Sequence, residues 1–78
     1  MNAAVHDRLI ELIAVKADIA AHEVNPDSTL EDLGLDSLHL MEMALWALQE
    51  YGLDVPEGDL RHDQKVREML AYFSERIR

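Results

Sequence analysis

No cysteine occurs among the 78 residues, so neither disulfides nor thiolate-bound metals can hold the fold together. No apolar run approaches the length of a membrane span. The opening Met1-Asn2-Ala3-Ala4-Val5-His6-Asp7-Arg8 meets an acid and a base before any long apolar run, unlike a secretory signal. A cytoplasmic protein is expected. Lysine and arginine are missing altogether between Lys16 and Arg61, while 11 acids fall at positions 17 to 60. The flanks hold the other 5 acids and all 7 basic residues. One contiguous segment therefore carries the whole negative field. That argues against nucleic acid, whose binding draws on cationic contacts to phosphate. It favours basic partner surfaces, which complementary potentials steer into place. There is also no alternating strand pattern, no internal repeat and no low-complexity tract.

What is present fits one domain over residues 1–78 with a modest core and little volume for an enclosed active-site cavity. Hydrophobic residues make up 49% of the chain, which excludes intrinsic disorder despite the charge. Val5, Leu9, Leu12 and Ile13 fall at i, i+4, i+7 and i+8, the stripe of an amphipathic helix over roughly residues 3 to 20. Asn25-Pro26-Asp27-Ser28 is turn chemistry, and a long connection is expected from about Ala21 to Asp36. Val24, Leu30 and Leu33 are its anchors onto the core. Loops of this length in compact domains tend to be functional.

Asp36 is a suitable N-cap for a second helix that runs to about Tyr51, and Gly52 supplies the left-handed residue that commonly ends one. Leu53-Asp54-Val55-Pro56 reads as extended, because proline biases its predecessor away from helix. A single short helical turn is expected over Glu57 to Arg61. The chain closes on a helix from Lys65 to Ile77, with Val66, Met69, Leu70, Phe73 and Ile77 at helical spacing. The fold class is all-α: a four-helix bundle with three main helices, one short helix and a long loop between helices 1 and 2.

The second helix carries two apolar stripes. Leu40, Met43, Ala44, Ala47 and Tyr51 match a core face, while Leu38, Met41, Leu45 and Leu48 form a second stripe. At about 100° per residue the two are separated by roughly a quarter turn or more. Either one broad face is buried, or the second stripe is an exposed docking patch edged by Glu42, Gln49 and Glu50. The docking reading is preferred, since so small a core cannot easily cover both.

Leu33-Gly34-Leu35-Asp36-Ser37-Leu38 is the most specific motif. In its context it resembles the phosphopantetheine attachment site of acyl carrier proteins, where a serine follows aspartate at the start of the second helix. The resemblance spans nearly the whole chain, from the loop Pro26-Asp27-Ser28-Thr29-Leu30-Glu31-Asp32-Leu33-Gly34 to Val55-Pro56-Glu57 and the closing Val66 to Phe73 segment. It implies a carrier that is not itself an enzyme. Ser37 would bear a covalent 4′-phosphopantetheine arm donated by coenzyme A through a phosphopantetheinyl transferase. The arm's thiol would hold an acyl cargo, which suits a chain without cysteine. The partners implied are that transferase, an acyl-loading ligase or acyltransferase, and a ketosynthase or other acyl-processing enzymes. A monomer that binds neither nucleic acid nor membrane is expected.

By the same resemblance Asp36 matches the acid read by the transferase and other partners. Leu38, Met41, Glu42 and Leu45 match contacts of the recognition helix, and Glu57 and Asp59 match acids near the short third helix. Leu40, Met43 and Ala47 match core positions that line an acyl pocket. Leu48 adds an apolar docking contact. Carriers of primary fatty-acid synthesis usually have acids where this chain has His39, Leu48 and Gln49. Peptidyl carriers usually place histidine immediately before the serine. Gly34-Leu35-Asp36-Ser37-Leu38 looks closer to polyketide-type carriers, which implies a role in specialised metabolism.

Other chemistry is poorly served. Residues two apart on a helix point to nearly opposite sides, so His39 is badly placed to activate Ser37 in a hydrolytic triad. His6, His22, His39 and His62 show no metal-binding spacing, and no calcium-binding loop occurs. The polar face of the second helix lacks the cations that membrane binding would use. Ser37 as a plain helix-capping residue is the bland alternative. The rival from another class is a small helical interaction or dimerisation module without a prosthetic group.

Overall fold

A computed structural model describes residues 3–77. Among them are three α-helices: α1 (Ala3–Ala17), α2 (Ser37–Tyr51) and α3 (Val66–Arg76). A single turn of 3-10 helix covers Ala21–Glu23. The described residues contain no strand, only one antiparallel bridge between Thr29 and Lys65. No helix among them is long and apolar enough to cross a membrane.

The core is assembled from one face of each helix. Val5, Leu9 and Ile13 of α1, Met43 and Ala47 of α2, and Val66, Met69 and Phe73 of α3 are fully buried. The whole closing stripe, including Leu70 and Ile77, lies inside as its spacing requires. Leu12 sits only half-buried at the edge of its stripe. Trp46 is also half-buried and meets Phe73 edge to face at a centroid distance of 6.2 Å, tying α2 to α3.

Three boundaries differ from those the sequence suggests. The first helix stops at Ala17 rather than near residue 20, because Asp18 adopts a left-handed φ of 59°. The Asp18 and Ile19 amides then donate to the Val15 and Ala14 carbonyls at 3.3 and 3.0 Å, a Schellman closure in which aspartate replaces the usual glycine. The connection after it is not wholly irregular, for Ala21–Glu23 makes its own turn, with the Glu23 carboxylate accepting the Ala20 amide at 2.9 Å.

Glu57 to Arg61 does not form the expected short helix. Gly58 has φ 93°, and the Asp59 amide donates to the Pro56 carbonyl at 3.1 Å. That is a β-turn with a positive-φ glycine at its third position, as a type II turn requires. A helix cannot propagate through that backbone conformation. The fourth helix expected at this place is therefore absent, and the short helical turn lies before α2 instead.

The long loop is fastened rather than loose. Val24, Leu30 and Leu35 are buried, with Leu33 partly so. Its backbone is stitched to the approach of α3 through Leu30 to Gln64, Glu31 to His62, Val66 to Ser28 and Arg67 to Pro26. Gly34, at φ 80°, follows a tight turn and lets Leu35 drop into the core while the chain swings out at Asp36. The start of α2 is thus held in place by buried leucines on one side and backbone bonds on the other.

Candidate functional site

Asp36 is the N-cap of α2, as its type and place predict. Its carboxylate accepts the amides of Leu38 and His39 at 3.1 and 3.2 Å. In return, His39 Nδ1 accepts the Asp36 amide at 3.2 Å, filling the role that glutamate or glutamine usually takes in a capping box. The same nitrogen lies 2.9 Å from Asp36 Oδ1 and donates to it instead when the ring is protonated, so in either form the imidazole is committed to the cap and not to Ser37. The backbone amide of His39 above all, with the His39 ring and the Leu38 amide, holds the Asp36 carboxyl below its ordinary value of 3.8. A carboxyl so depressed in the folded state stabilises the fold fully above that ordinary value and ceases to as pH falls through the lowered one. Asp36→Ala is expected to lower the melting midpoint by about 5 °C at neutral pH. The difference from the native chain should close only below about pH 4; thermal melts across pH check this.

Ser37 is the first residue of α2 and is exposed. Nothing among the described residues covers the position. The amides of Leu38 and His39 are not free to cradle its phosphodiester, since Asp36 already holds them. The favourable field of the helix terminus remains. Ser37 also lies in the wall of an open groove of about 750 Å³ between α2 and the segment 54–60. Leu40, Ala44, Leu45 and Leu48 form one side, and Val55, Pro56 and Leu60 the other. Of the three expected pocket residues only Leu40 reaches it, while Met43 and Ala47 stay wholly in the core. The far wall was not legible locally, because residues 55–60 reach the groove only through the tertiary fold.

The second stripe of α2 faces outward. Leu38, Met41, Leu45 and Leu48 are 61, 68, 52 and 48% exposed, an unusual run for leucine and methionine. The acids matched to partner contacts are less uniform. Glu57 lies on the groove. Asp59 accepts the Tyr72 hydroxyl at 2.8 Å, which fastens its loop to α3; burial and then this bond raise the Tyr72 pKa. Glu42 is engaged by Lys16 of α1 at 3.0 Å. No local spacing signals that last pair, whose members are 26 residues apart. No group of three or more potential metal ligands occurs among the described residues.

Comparison with known proteins agrees with this geometry. The sequence profile of the family described as "Phosphopantetheine attachment site" matches residues 7–73. A protein named acyl carrier protein from Solidesulfovibrio magneticus is 32% identical over 73 residues, covering 92% of this chain and 94% of that protein. One of the same name from Nitratidesulfovibrio vulgaris (strain Miyazaki F) is 32% identical over 69 residues, 87% of this chain and 91% of its own length. Another, from Thermobifida fusca, is 34% identical over 67 residues, 85% of each. The match runs from the first helix through the serine-bearing turn to the last core stripe, and the chain belongs to the acyl carrier protein family, whose members carry a covalent 4′-phosphopantetheine and are not enzymes.

Proposed function

We propose that Ser37 bears the arm, and that the chain presents acyl thioesters on it to a series of enzymes, in the cytoplasm. The observation that supports this most is the placement of Ser37: exposed at the head of α2, next to an apolar groove and an outward apolar stripe. Leu38, Met41, Leu45 and Leu48 secure docking, and Asp36 and Glu57 help to steer it. Specialised, polyketide-type biosynthesis is the setting we favour, because His39, Leu48 and Gln49 stand where carriers of primary fatty-acid synthesis usually have acids. His39 supports this further by serving the cap instead of the docking face.

The test is the rate at which a broad-specificity phosphopantetheinyl transferase loads the chain from coenzyme A. The rate is expected to fall with added salt, as steering by charge requires. Leu48→Glu is expected to slow loading by roughly tenfold, the loss of about one buried apolar contact, without altering the thermal melt. Unchanged loading by that variant would remove Leu48 from the docking surface. No loading at all, with an active enzyme and a folded chain, would favour the unarmed interaction module.

A further inference from the structure

We propose that Lys16, assisted by Arg8, sets which partners dock on this carrier by neutralising the carboxylates of α2 from within the molecule. The proposal rests on the carrier reading above and deepens it. The helix has only two acids, Glu42 and Glu50, and the chain has only two lysine or arginine residues before Arg61, Arg8 and Lys16. The fold brings these together pair by pair. Lys16 Nζ lies 3.0 Å from Glu42 Oε1, and Arg8 Nη2 lies 3.7 Å from Glu50 Oε1.

The first pair is the tighter. The Lys16 side chain is only 16% exposed, against 51% for Glu42, so its stem is packed and its ammonium is fixed in place. An ion pair at the surface contributes little to stability. Its consequence is for the field, because a fixed cation at contact distance turns the carboxylate's charge into a short-range dipole. A partner that offers lysine or arginine to Glu42 meets Lys16 as well. Across α2 the molecule therefore offers apolar surface without net charge. Its negative field is carried elsewhere, at acids such as Asp54 and Glu57, which make no ion pair among the described residues. The partner that fits has an apolar face opposite α2, with its cations confined to the side that meets the 54–57 segment.

Four chains test this in the loading reaction with coenzyme A and phosphopantetheinyl transferase at low ionic strength: the native chain, Lys16→Met, Glu42→Gln and the double variant. Lys16→Met keeps the packed stem and exposes the Glu42 charge, and with a transferase that presents cations to α2 it is expected to load about threefold faster. Glu42→Gln leaves Lys16 unopposed and is expected to load about threefold slower. The double variant should return to the native rate, and all differences should vanish at high salt. Lys65→Met removes the same charge at the N-cap of α3, from a residue that makes no ion pair with α2 among the described residues, and its gain should be smaller. Lys16→Gln is read in parallel, in case methionine disturbs the packing. A Lys16→Met gain no larger than that of Lys65→Met, or one that survives in the double variant, would overturn the masking. Equal loading of all four chains defeats masking alone, whereas a native chain that is never loaded defeats the carrier reading as well.

Discussion

Ser37→Ala is expected to abolish loading completely while leaving the fold intact. The hydroxyl is the only group lost, the residue is exposed, and alanine is the better helix former at an exposed first-turn position. The cap does not depend on it, because its bonds join the Asp36 carboxylate to the Leu38 and His39 amides and the His39 ring to the Asp36 amide. The melting midpoint should stay within a few degrees of the native value, since surface changes away from special features alter stability by roughly half a kcal/mol or less. Intact-protein mass after incubation with coenzyme A and transferase reads the loss, and a thermal melt reads the fold. Arm transfer to the alanine chain would mean that another hydroxyl is the acceptor.

Phe73→Ala should do the reverse, leaving every site residue in place and removing the frame that holds them. Phe73 is the largest fully buried side chain and has edge-to-face contacts with Trp46 of α2 and Tyr72 of α3. Truncating such a residue costs about 3–5 kcal/mol. A domain of this size has roughly 4–12 kcal/mol of stability to lose. The midpoint is expected to fall by about 20 °C, given some 4–8 °C per kcal/mol for small domains. Loading at elevated temperature should fail with it, as α2 loses its anchor. A drop of under about 5 °C would show that the three helices do not depend on this contact as described.

Much of this was legible because the signals are local or periodic. The closing stripe from Val66 to Ile77 needs only helical spacing, and all five of its residues are buried. Asp36 and Gly52 mark the two ends of α2 by residue type, and both act as caps, Gly52 with φ 67°. The Asp36-Ser37-Leu38 motif sits where it does because Gly34 and Leu35 turn the chain and bury it just beforehand. Other features depended on competition that spacing does not reveal. Asp18 ended α1 early by taking a left-handed conformation that few non-glycine residues adopt, in a stretch whose alanines favour continuing. Gly58 made a β-turn out of a segment with good helix formers around it. The Lys16–Glu42 pair and the far wall of the groove are products of packing between distant segments, and no window of sequence contains both halves.

The account rests most on one atom, the Ser37 hydroxyl. The chain offers three serines: Ser28 in the stitched loop, Ser37 at the head of α2, and Ser74 on α3, whose Oγ is buried without a hydrogen-bond partner among the described residues. The most direct test is peptide mapping by tandem mass spectrometry of the native chain after incubation with coenzyme A and transferase. A single phosphopantetheinyl group on Ser37, with Ser28 and Ser74 unmodified, is the expected result. An arm on either other serine, or none on a folded chain in the presence of active enzyme, would contradict it.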